Sequence, residues 1–135
     1  MKTSKSILLM ISVIASISFN SCENNQEVKK LDISKTEYAE IRNAKIAYKI
    51  LGQGDPIVMC VGYATNMDLW STDVLESLQK KYQLIIFDYR GMGLSTNQDS
   101  AFTMETLADD VDALLQKLNI EKAHVLGWSM GGYVA

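Results

Sequence analysis

The sequence predicts an α/β fold: a mostly parallel sheet with helices on its faces. Two continuous apolar runs, Ile57–Val61 and Leu84–Phe87, have the length and composition of strands buried on both sides. Between and after them lie stretches with helical periodicity, and the alternation of the two forces parallel pairing with crossover helices. A third observation is local. The run Gly127-Trp128-Ser129-Met130-Gly131 follows the apolar stretch Ala123–Leu126, which suits a strand turning abruptly into a helix.

The chain has 135 residues, enough for one domain. Apolar residues make up 47% and charged residues 21%, the balance of a folded globular protein. The net charge of −3 argues against a nucleic-acid partner, which needs a basic face. Lys2 and Lys5 precede an apolar region from Ile7 to about Phe19, too short and too rich in serine for a membrane span. Residues 1–21 therefore read as an export signal. Asn20-Ser21-Cys22 closes it and resembles a bacterial lipoprotein signal, in which Cys22 becomes the lipidated N-terminus. The plainer alternative is an ordinary signal peptide with an incidental cysteine. The lipoprotein reading places the protein in the cell envelope, exported and anchored to a membrane through Cys22. Residues 22–36 are polar and aperiodic, a tether to a domain over 37–135.

Within the domain, Tyr38–Ile41 and Ala44–Ile50 read as a hairpin joined through Arg42-Asn43, and Gly52–Pro56 supplies turn residues. Ile57–Val61 is the next strand. After Gly62, Leu69, Trp70, Val74, Leu75 and Leu78 share one helical face. Leu84–Phe87 follows as a strand. Met104, Leu107, Ala108, Val111, Leu114, Leu115 and Leu118 then mark the clearest helix, with Thr103 as its N-cap. Glu105, Asp109 and Asp110 lie early in it and Lys117 late, as the helix dipole favours. Cys60 sits among apolar residues and reads as a buried thiol rather than half of a disulfide. No metal-ligand spacing is visible.

A serine between two glycines recurs by chance in roughly one chain of this length in twenty or thirty. Its neighbours raise its weight. Phe87-Asp88-Tyr89-Arg90-Gly91-Met92-Gly93-Leu94-Ser95 follows one strand, Val61-Gly62-Tyr63 follows another with Trp70 beyond it, and Gly127–Gly131 follows the last. Taken in chain order, each at a strand's C-terminal end, these segments resemble the α/β-hydrolase family from about Tyr38 to Ala135. Val61 stands where the family usually carries histidine.

The resemblance implies that Ser129 is the nucleophile of a serine hydrolase, held at the top of an elbow whose glycines are Gly127 and Gly131. It implies an oxyanion hole made by the backbone N–H groups of Tyr63 and Met130. Asp88, Arg90, Gly91, Gly93 and Ser95 read as structural, with Asp88 and Arg90 satisfying loop backbone groups and each other. Tyr63 and Trp128 line an acyl pocket or belong to the core. The expected substrate is an ester or related small acyl compound, cleaved through an acyl-serine intermediate without a cofactor. A serine at the elbow disfavours dehalogenase and epoxide-hydrolase chemistry, which use aspartate there. The elbow also resembles those of cofactor-free haloperoxidases and perhydrolases.

His124 is the only histidine. It lies five positions before Ser129 on the same strand, more than about 10 Å away, whereas a base must come within about 3 Å. In the family the acid and histidine follow the serine, and six residues follow it here. The sequence is thus expected to be the front part of a hydrolase, inactive alone. The rival expectation is a non-catalytic lipoprotein, or a degenerate product acting at most as a binding module.

Overall fold

The computed structural model describes residues 31–98 and 101–135. The leader over 1–21, Cys22 and most of the tether lie outside the described residues. Residues 31–36 form neither helix nor strand, although Leu31 packs against the core. Among the described residues five strands make one sheet: β1 (Glu37–Ile41), β2 (Ala44–Leu51), β3 (Asp55–Cys60), β4 (Tyr82–Phe87) and β5 (His124–Gly127). Their order is β1-β2-β4-β3-β5. β4, β3 and β5 pair in parallel, and the hairpin adds two antiparallel pairings, β1 with β2 and β2 with β4.

The hairpin turns where expected, with Arg42 in the left-handed region at φ 53°. β3 starts two residues earlier than the apolar run because Asp55 and Pro56 pair with Tyr82 and Gln83. Sheet pairing extends a strand past its hydrophobic stretch.

Helices cover both faces. Side chains alternate along each strand, so Val58, Cys60, Ile85 and Phe87 face one layer while Ile57, Met59, Leu84 and Ile86 face the other. The first layer is closed by α2 (Met104–Lys117), through Leu107, Val111 and Leu114, and by α3 (Gly131–Val134). The second is closed by Leu75 of α1 (Thr72–Leu78) and by Met67, in a single 3₁₀ turn over Met67–Leu69. Thr103 caps α2 as expected, its hydroxyl accepting the Thr106 N–H at 3.2 Å.

The segment before β4 departs from expectation. Leu69 and Val74 do not join a buried face; both are substantially exposed. Trp70 adopts extended backbone (ψ 124°) between the 3₁₀ turn and α1, which breaks the helical register. Leu69 and Leu75 therefore lie on different elements, and only Leu75 is fully buried.

Asp88 holds loop backbone groups as expected, but Arg90 pairs with a residue of α2 rather than with Asp88. Arg90 forms a two-pronged ion pair with Asp110 of α2, Nε to Oδ2 and Nη2 to Oδ1, each 2.6 Å. Both side chains are almost completely buried. Asp110 thus serves the core rather than the helix dipole. Asp88 turns the other way and accepts the N–H groups of Met67 and Leu94, each at 2.7 Å.

Candidate active site

The C-terminal ends of β3, β4 and β5 bring three loops together. β5 is extended one step by the Trp128 N–H, which donates to the Cys60 carbonyl at 3.0 Å. The chain then reverses. Ser129 has φ 54°, a left-handed conformation that a non-glycine residue adopts at a cost of about 1–2 kcal/mol. Gly131 N–H donates to Trp128 O and Gly132 N–H to Ser129 O, both at 2.9 Å, which starts α3. Ser129 is exposed at the crest of the bend.

The two flanking glycines are dictated by close approach. A methyl group at Gly131 would overlap the Cys60 and Val61 carbonyls, and one at Gly127 would overlap the Gly131 carbonyl. The bend therefore sits directly on the end of β3. A Cβ at Gly62 would stand 3.4 Å from the Ser129 Cβ and 2.7 Å from the Trp128 ring, so the loop after β3 runs beside the serine.

That loop is tightly built. Ala64 is also left-handed, at φ 55°. The Thr65 hydroxyl donates to Gly62 O at 2.8 Å, and the Asn66 side chain accepts the Asp68 N–H at 3.1 Å. Lys49 of β2 donates to the Asp68 carboxylate at 2.7 Å. Among the described residues no acceptor takes the backbone N–H of Tyr63 or of Met130.

Trp128 borders an apolar cavity of about 260 Å³ with Val61, Leu69, Trp70, Ser71 and Val74, so the exposed Leu69 and Val74 line its wall. The Tyr63 side chain does not line it and is 68% exposed. A shallower groove of about 600 Å³ runs between Ala64–Leu69 and Gly91–Gly93.

Two other groups with nucleophile or base chemistry are set aside by position. His124 opens β5 at the far end of the strand, opposite Ile57, with its ring edge-on to Tyr82 at 6.2 Å. Cys60 lies buried under the bend, and burial pushes its thiol up to about 11, so the thiolate is scarce at neutral pH. Among the described residues no cluster of His, Cys, Asp and Glu is arranged to hold a metal ion.

Lys49 and Asp68 were not singled out from the sequence. A signal for Lys49 was present: it shares strand parity with Ala47 and Leu51, which face the α1 layer. Nothing in the pattern around Asp68 points to its partner 19 residues earlier.

The family model described as alpha/beta hydrolase fold matches residues 55–135, and the chain belongs to that family. It is 35% identical over 88 residues to the non-heme chloroperoxidase CPO-A1 of Kitasatospora aureofaciens, covering 65% of this chain and 32% of that protein. It is 38% identical over 79 residues to 3-oxoadipate enol-lactonase 1 of Acinetobacter baylyi, covering 58% and 29%. Among solved structures, the enol-lactonase of Burkholderia xenovorans LB400 superposes with a TM-score of 0.69 at 29% identity, over 73% of this chain and 39% of that one. The chain spans about a third of the length of the curated relatives it matches.

Proposed function

We propose that this α/β-hydrolase chain carries the nucleophile and the oxyanion hole of a serine hydrolase acting on an ester or related acyl substrate. The single observation that carries the reading is Ser129 itself, exposed on a left-handed bend pressed against the end of β3. Strain at one exposed polar residue persists only where the surroundings over-determine it, and such residues cluster at reactive sites.

In the proposed reaction the Ser129 Oγ attacks the substrate carbonyl carbon while a general base takes its proton. The carbonyl oxygen becomes an oxyanion and accepts the N–H groups of Tyr63 and Met130. The tetrahedral intermediate collapses, the leaving group departs with the proton, and water hydrolyses the acyl-serine by the same route reversed. His124 is too distant to be the base. The enol-lactonases among its relatives suit this chemistry, because a lactone is a cyclic ester. The chloroperoxidase name suggests a second use of the same acyl-enzyme: hydrogen peroxide in place of water would release a peracid. The protein is held at a membrane of the cell envelope through lipid on Cys22, and Cys22→Ala should move it to the soluble fraction.

A fluorophosphonate probe tests the nucleophile on the complete gene product containing these residues. Labelling that disappears in Ser129→Ala supports the reading. A folded protein that resists the probe, or a Ser129→Ala variant that still labels, returns the chain to the non-catalytic alternative.

A further inference from the structure

We infer that Lys49 is a positioning residue for the oxyanion hole, acting through Asp68 on the loop that carries the Tyr63 N–H. The inference rests on the proposed role of that N–H and adds a residue from a strand that contributes nothing else to the site.

Lys49 is an unusual residue for its place. Its side chain is 8% exposed on the α1 face of β2, beside positions otherwise occupied by Ala47 and Leu51. Burying an ammonium is costly unless it is paired, and Asp68 supplies the pair at 2.7 Å. The pairing is one-sided, since the Asp68 side chain is 57% exposed and could be solvated without Lys49. The contact thus pins a loop residue to the sheet rather than rescuing a stranded carboxylate.

The loop has something to be pinned against. Ala64, next to Tyr63, is left-handed without being glycine. A strained residue in a short loop relaxes unless both ends are fixed. One end is β3, continuous with Gly62. The other is the 3₁₀ turn, where the Asp88 carboxylate holds the Met67 N–H and Lys49 holds Asp68. Between them, the Thr65 and Asn66 side chains close the loop on itself. Removing the Lys49 tether leaves Asp88 as the remaining side-chain anchor from the sheet. The strain at Ala64 is then free to relax, and the adjoining Tyr63 N–H is displaced from the developing oxyanion.

The test uses the complete gene product with a p-nitrophenyl ester and with an aryl boronic acid, which forms a tetrahedral adduct on serine. Lys49→Met keeps the stem and removes the charge. It should lower kcat about tenfold, a fraction of what losing a whole oxyanion donor costs, with KM within about twofold. The boronate inhibition constant should rise by the same factor as kcat/KM falls, and Lys49→Arg should recover most of the loss. If Lys49→Met does not fold, Asp68→Asn, a change on the exposed partner, carries the same test. Unchanged boronate affinity would overturn the inference, as would a rise in KM at constant kcat, which would make Asp68 a substrate contact. Ser129→Ala separates the two levels. If it abolishes turnover while Lys49→Met does not affect it, only the positioning role fails; if it leaves turnover intact, the proposed function fails and the positioning role with it.

Discussion

The loop after β4 and the bend after β5 are built from similar parts and end in opposite states. Both follow a buried strand, both use closely spaced glycines, and both contain left-handed backbone, at Gly91 and Gly93 in one and at Ser129 in the other. In the β4 loop the charged groups and Ser95 are spent on the fold, while the buried Tyr89 hydroxyl has no hydrogen-bond partner among the described residues. Asp88 holds two N–H groups, Arg90 holds Asp110, and the Ser95 hydroxyl donates to Asp88 O while accepting the Ala47 N–H. Gly93 is required because a side chain there would collide with the Asp88 carboxylate. In the β5 bend the backbone is equally constrained, yet the serine is exposed and left-handed without being glycine. The difference lies in saturation. A polar residue whose partners are all internal stabilises, whereas one that is fixed in place and turned outward is available for chemistry.

The largest effect should come from breaking the buried ion pair of the β4 loop. Arg90→Met leaves Asp110 buried without its guanidinium partner and should cost about 3–5 kcal/mol, read from chemical denaturation. Next comes the constraint under the bend. Gly131→Ala drives a methyl into the Cys60 carbonyl and should cost about 2–3 kcal/mol. Its neighbour Gly132 faces open space, so Gly132→Ala should stay within about 0.5 kcal/mol of the parent. Equal losses at the two glycines would break the claim that close approach, rather than helix composition, shapes the bend.

Ser129→Gly sharpens the contrast further, because its sign is opposite. Relief of the left-handed strain should outweigh the added entropy of the unfolded chain, for a net gain of about 0.5 kcal/mol. Probe labelling should be lost in the same variant. A Ser129→Gly protein less stable than its parent would mean that the hydroxyl holds the bend together.

The smallest effect belongs to the hairpin, remote from both loops. Hydrogen bonds from Lys35 and from Tyr48 hold the Glu37 carboxyl below its ordinary value of 4.5. A depressed folded value means that the contribution is complete above the unfolded value and fades as pH falls through the folded one. Solvent screening at this surface keeps it to a few tenths of a kcal/mol. Glu37→Gln should therefore lower stability slightly at pH 7 and not at all near pH 2.

Much of the framework was readable without coordinates, for a definite reason. Strands buried on both faces must be continuously apolar, and α2 must repeat its apolar residues every three or four positions to bury one side. Ile57–Val61, Leu84–Phe87 and the Leu107–Leu114 stripe carry those patterns because burial demands them. The candidate site was legible where backbone sterics restrict the residue type, at Gly127, Ser129 and Gly131. It was illegible where a partner comes from far along the chain. Arg90 reaches 20 residues to Asp110, and Lys49 reaches 19 to Asp68. Neither spacing has a local period. Leu69 and Val74 are exposed for a different reason, since the extended backbone at Trp70 interrupts a pattern that composition alone would continue.

By itself, then, the sequence determined which segments are strands and helices and where the chain must bend sharply, because periodic burial and glycine-only contacts leave marks at short range. Tertiary structure alone decided which charges pair, which face each loop presents, and that Ser129 stands exposed beside Gly62. Those outcomes depend on how β3, β4 and β5 are brought side by side, and no short stretch of residues contains that information.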